Sequence, residues 1–129
     1  MNRTDVDRFE KLNAQLEGLY QEISVLAKKT PNDALNAFKI QLVNRILKNS
    51  NSFLGPQHSP FDDFELFSID ALPTNSDVTL ILAQYLECAE KFRSDNIEYN
   101  PVEGGWYWKL EPAARDQIVT GPPKKISSR

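Results

Sequence analysis

Residues 4–29, TDVDRFEKLNAQLEGLYQEISVLAKK, place Phe9, Leu12, Leu16, Leu19, Ile23 and Leu26 at alternating steps of three and four. A helix completes a turn every 3.6 residues, so these six side chains fall on one side of it, and the pattern persists over about three heptads as an a/d seam. Thr4 with Asp7 suits a capping box, Asp5 and Asp7 suit the positive end of the helix dipole, and Lys28 and Lys29 suit the negative end. Pro31 cannot continue the same helix. The first helix is therefore expected over 4–29, and its seam needs partners. Gln15, Glu22 and Asn13 beside the seam carry no strong interchain charge code, so packing within one chain is favoured, with a homodimer through this helix as the other arrangement.

The next segment supplies a partner. Thr30 and Pro31 make an N-cap and N1 pair, which predicts a second helix beginning almost without a loop. Its stripe is Leu35, Phe38, Leu42, Val43, Ile46 and Leu47, extending toward Phe53 and Leu54 before Gly55 and Pro56 stop it. Two helices joined so tightly are expected to pack antiparallel and leave an apolar groove.

Farther along, Asn75 and Ser76 offer an N-cap ahead of Asp77, and Val78, Leu82, Tyr85, Leu86, Ala89 and Phe92 predict a third helix over 76–95. Cys88 lies on or beside its apolar face and reads as a small buried hydrophobe. Beyond it, Ile97 and Tyr99 precede a Pro/Gly turn, and Trp106, Trp108 and Leu110 alternate with Tyr107 and Lys109, which is strand periodicity. A β-hairpin laying its Trp face on the helices is expected, with Tyr107 on the opposite face. Ile118 and Val119 suit a third short strand, and GPPKKISSR reads as a flexible basic tail. The fold class is thus mainly α: a three-helix antiparallel bundle-like core with a small C-terminal β-hairpin. One domain is expected over 1–129, made of a helical hairpin (4–54), a connector (55–75), a third helix (76–95) and the hairpin with its tail (97–129).

The connector is the unusual part. Its centre, PFDDFELFSIDALP over 60–73, sets Phe61, Phe64 and Phe67 three apart among Asp62, Asp63, Glu65 and Asp70. Connections of this length are uncommon unless they pack or carry function. The charge census sharpens the point. Residues 1–48 hold 8 basic and 6 acidic side chains and 91–129 hold 7 and 5, whereas 49–90 hold seven acids and not one Lys or Arg. The net charge of −3 therefore conceals an acidic middle, which repels nucleic acid and favours either a basic partner surface or the chain's own basic ends.

Signatures of catalysis are weak. A single cysteine excludes an internal disulfide and a multi-cysteine zinc site. His58 with Asp62, Asp63 and Glu65 matches no metal-loop spacing, and the Cys88–His58 pairing needs an exposed thiol. Gly104-Gly105 lacks the strand, lysine and further glycines of a phosphate loop. No apolar run approaches the ~20 residues of a membrane helix, and the polar N-terminus does not read as a secretory leader, so a cytoplasmic protein without membrane attachment is expected. The expected function is non-catalytic and needs no cofactor. An adaptor, inhibitor or assembly subunit would engage a basic partner protein through Asp62, Asp63, Glu65 and Asp70, with Phe64 and Tyr107 as anchors. Two alternatives are a nucleic-acid-binding accessory protein using Tyr107, Lys109, Lys124 and Lys125, and a small metal-dependent hydrolase.

Overall fold

The heptad seam is used inside the chain. In the computed structural model, which describes residues 1–111 and 117–124, Phe9, Leu12, Leu16 and Ile23 of helix α1 (Arg3–Lys29) are buried against the other helices. Helix α2 covers Ala37–His58 and helix α3 covers Asn75–Asp95. The Phe9 ring lies 6.0 Å from that of Phe53 and stacks at 5.5 Å on that of Phe92, so the start of α1 meets the ends of both other helices. Helix α1 is therefore antiparallel to α2 and to α3, and α2 and α3 run parallel to each other. The core between them is built from Val6, Leu16, Ile23, Ile40, Val43, Leu47, Val78, Leu82, Tyr85 and Leu86.

Each helix start follows a capping rule, at a residue the sequence pattern did not single out. Helix α1 is capped by Asn2, whose side chain accepts from the Asp5 N–H while Asp5 reaches back to the Asn2 N–H, a complete capping box two residues ahead of the expected one. Both registers satisfy the spacing. The earlier one lets Met1 pack against the core and its carbonyl accept from the Glu111 N–H. Helix α3 is likewise capped one residue early, by Thr74 with Asp77, which frees Asn75 to turn inward and donate to the Thr30 carbonyl and hydroxyl.

The second helix does not begin at Thr30 and Pro31. It begins at Ala37 with Asn36 as N-cap, because residues 30–35 take an extended path that clasps the start of α3. Leu35 donates to the Pro73 carbonyl, Asn75 to Asp33 and Ser76 to Pro31, with an antiparallel bridge between Ala34 and Thr74. These bonds to a distant segment outweigh the local preference of Thr-Pro for a helix start. The buried stripe of α2 is consequently Ile40, Val43, Leu47, Ser50 and Leu54, and Phe38, expected inside, is 68% exposed. Regular helix stops where expected: Gly55 adopts φ 72°, and Pro56 to His58 form only a short further turn.

The C-terminal sheet has strands β1 (Ile97–Asn100), β2 (Gly105–Trp108) and β3 (Val119–Thr120), all antiparallel in the order 1-2-3. Asn100 caps the turn, its side-chain oxygen accepting from the N–H groups of Val102 and Glu103, while Gly104 supplies φ 73°. Trp108 is buried against Phe9 at 5.3 Å, as the alternation predicts. Trp106 and Tyr107 are half-buried, and the ring that stands out is Tyr99, 54% exposed.

The segment after β3, expected to be loose, is fastened through Lys124. Arg93 uses all five of its N–H groups. Nε and Nη2 grip the two Glu90 carboxylate oxygens at 2.9 Å each, and Nη1 and Nη2 bind the Thr120 hydroxyl and the carbonyls of Gly121 and Pro122. The Lys124 N–H completes the set by donating to Glu90. Both charged side chains are buried. Burial pushes the Glu90 carboxyl up, but Arg93 and the Lys124 N–H outweigh it and hold the group below the usual carboxylate range. The remaining tail, 125–129, lies outside the described residues.

Removing one partner of a buried pair leaves an uncompensated charge, so Arg93→Ala is expected to cost about 3–5 kcal/mol in denaturant unfolding. A carboxyl whose folded pKa is depressed stabilises the fold above its unfolded value, near 4.3, and that stability is lost as pH falls through the folded value. Stability curves between pH 5 and pH 3 should therefore fall less steeply for Glu90→Gln than for the natural protein.

Candidate functional site

Because α2 and α3 are parallel, the chain must travel back along the bundle between them, and residues 59–74 do this. An isolated extended segment would leave its backbone polar groups without partners. Helix α2 supplies them. Asn44 and Asn51, seven residues and two turns apart, stand on one stripe facing the connector. Asn44 donates to the Phe67 carbonyl and accepts from the Phe67 N–H, both at 2.9 Å, so one side-chain amide replaces a neighbouring strand. Asn51 donates to the Glu65 carbonyl at 3.1 Å, and its own oxygen accepts from the buried Tyr85 hydroxyl at 2.6 Å. Burial raises the Tyr85 pKa, which keeps the phenol a donor.

The phenylalanines divide as the packing demands. Phe61, Phe64 and Phe67 form an edge-to-face ladder, with centroids 6.1 and 5.1 Å apart, and Phe64 and Phe67 press against the hydrophobic core. All three are half-buried. Offset from them is a second ladder of the same period, Leu66, Ile69 and Leu72, which is exposed. Ile69–Ala71 is a single 3₁₀ turn, which ends at Leu72. Leu72, 65% exposed, has φ 52° and ψ 58°, a left-handed backbone that costs a bulky L-residue about 1–2 kcal/mol.

The same segment carries Asp62, Asp63, Glu65 and Asp70, all exposed and none in an ion pair with the described residues. Of the residues singled out from the sequence, these four acids and Phe64 share the connector. Tyr107 sits apart on the sheet beside Gly105. Leu66, Ile69 and Leu72 carried a signal, a spacing of three, that the stronger phenylalanine spacing masked.

The other proposed constellations are dispersed. His58 faces away from the connector acids, its Nε2 3.2 Å from Asp95 and its ring edge-on to Phe92. Hydrogen bonds from Lys91 and His58 hold Asp95 below the usual range. Among the described residues no group of three or more His, Cys, Asp and Glu side chains gathers as a metal site would. Cys88 is half-buried, and burial, followed by Glu87, pushes its thiol up, the reverse of what a nucleophile needs. Lys124 is tied to Glu90 through its backbone, and Lys125 lies outside the described residues. A separate apolar groove of 450 Å³ lies between α1 and α2, lined by Gly18, Leu19, Ile23, Phe38 and Leu42 with Glu22 and Lys39 at its edge. Among the described residues no helix is long and apolar enough to cross a membrane.

No protein-family model matches the chain, and no curated protein or solved structure is significantly similar to it.

The amide pins give a direct expectation. Replacing Asn44 by Leu leaves the Phe67 N–H and carbonyl without partners at a half-buried site, a loss of about 1–3 kcal/mol. Amide hydrogen exchange should show Phe67 losing its protection while Leu82 in the core keeps much of its own.

Proposed function

We propose that this protein is a non-catalytic interaction module, an adaptor, inhibitor or assembly subunit, whose connector docks on a partner protein with a basic surface. One observation carries the reading. Three apolar side chains of the connector, Leu66, Ile69 and Leu72, form an exposed ridge beside a backbone that helix α2 fixes at Glu65 and Phe67, and four exposed carboxylates of the same segment make no ion pair with the described residues. The carboxylates attract a basic partner over distances up to the Debye length, about 8 Å at physiological salt, and raise its encounter rate. The ridge then supplies apolar area that becomes buried on contact, with the acids as a polar rim. Leu72 supports the reading further, because a left-handed leucine pointing into water gains nothing for the fold that glycine would not give. The phenylalanines are the foundation of the surface, and Phe64 contributes through its partly exposed ring.

The reading separates stability from binding at one residue. Leu72→Gly relieves about 1–2 kcal/mol of left-handed strain and returns about 0.4–1 kcal/mol through a looser unfolded chain, so the variant should be slightly more stable than the natural protein. It should nevertheless lose affinity for the partner. Immobilised protein is expected to retain from host lysate a species that is lost with Leu72→Gly, with Ile69→Asp, and with joint reversal of Asp62, Asp63 and Glu65 to Lys. Phe38→Ser, in the separate α1/α2 groove, should leave capture intact. If the charge-reversed protein captures the same species as efficiently, the proposal fails.

A further inference from the structure

At the upper end of the connector, where it leaves α2, lies an open groove of 530 Å³ lined by Asn51, Gly55, Phe61, Asp62, Phe64 and Glu65, among others. Three independent features of this groove favour a positive charge. The first is its pair of carboxylates, Asp62 and Glu65, within the stretch 49–90 that holds no Lys or Arg. The second is the end of helix α2. Gly55 leaves helical geometry, and Pro56 has no N–H, so the Ser52 carbonyl is without the i+4 donor it would have in a continuing helix. Gly55 and Pro56, at this break, line the groove, although the Gly55 carbonyl itself is taken by the Ser59 N–H and hydroxyl, and the negative end of a helix dipole stabilises cations nearby. The third is the edge-to-face pair of Phe61 and Phe64, half-buried rings whose π systems attract a cation placed over them.

We infer that this groove receives an arginine side chain of the partner protein. The inference rests on the connector being the docking face and adds what the partner must bring. A guanidinium suits the lining better than an ammonium does. It is flat enough to lie against a phenylalanine, its forked N–H groups meet a carboxylate two at a time, and it sheds water more readily. Lysine offers a compact, strongly hydrated charge that uses the carboxylates and little else. The groove and the exposed ridge are consecutive on one segment, residues 61–65 against 66–72. The partner would therefore place its arginine next to the apolar side chains that cover Leu66 and Ile69.

The full-length protein titrated with the peptide acetyl-Gly-Gly-Arg-Gly-Gly-amide, followed by amide chemical shifts, tests this without knowing the partner. Shifts concentrated at Gly55 and at 61–65, weaker with the lysine peptide and absent with the citrulline peptide, are expected. Asp62→Asn with Glu65→Gln should weaken the arginine peptide about tenfold or more, whereas Asp70→Asn with Asp77→Asn, acids outside the groove, should not. Equal shifts with the lysine peptide, or shifts spread evenly over every acidic residue, overturn the arginine site as general charge attraction. No shift with any peptide also overturns it. Either of these results leaves the docking face standing if Ile69→Asp and Leu72→Gly still abolish partner capture. Loss of the docking face would instead appear as capture unaffected by those two changes.

Discussion

Two neighbouring helices that run in the same direction impose a cost that an up-down bundle avoids: the chain must return along the bundle before the next helix can start. In this protein that requirement organises the rest. Before it meets residues 34–35 at Pro73 and Thr74, the return segment, 59–74, pairs with no strand among the described residues, and the side-chain amides of Asn44 and Asn51 take that place. At its lower end the same segment is fastened to residues 30–35, so the short connection between α1 and α2 serves as a splint for the entry to α3. The phenylalanine ladder fills the apolar space beneath. Once the backbone and the rings are fixed, the alternate side chains have only the outside to occupy. The exposed ridge follows from the geometry of the return.

Electrostatics act on the same segment in the opposite sense. Seven acids with no cation over 49–90 repel one another, and a free loop of this composition would stay expanded. The neutral amides and the aromatic contacts hold it in place without neutralising it. Charge is thereby kept available at the surface, in contrast to Glu90, the one acid of this block drawn inside, where Arg93 compensates it fully. One acidic block thus supplies the carboxylate of a closed pair that serves the fold and an open group that faces water.

Much of this was legible in the sequence because it rests on period. The α1 seam, the α3 stripe and the alternation that buries Trp108 are direct consequences of 3.6- and 2-residue repeats, and the mainly α class with a terminal sheet follows from them. What escaped depends on distant contacts. Thr30-Pro31 looks like a helix start, and only the hydrogen bonds to 73–76 make it extended. Phe38 belongs to a plausible stripe but faces out, because the buried side of α2 is set by where α1 and α3 lie. Glu90 and Arg93 resemble an ordinary i,i+3 surface pair, and nothing local announces that residues 120–124 will cover them. At the connector the acids and the rings were both visible, and their division of labour was half visible. The apolar ridge was hidden in plain spacing, since two interleaved series of period three look like a single hydrophobic run.

The cover over Arg93 has a bearing on the order of assembly. Helix α3 and its internal Glu90–Arg93 contact are local, yet the guanidinium meets its other acceptors only when residues about thirty positions later arrive. Until then the pair stays hydrated, and closing that loop must be repaid by contacts formed at the end of the process. Docking of 120–124 is thus expected to come late, contributing little to the barrier for forming the helices and much to the barrier for leaving the native state. Weakening it should show mainly as faster unfolding, with the rate of helix assembly nearly unchanged.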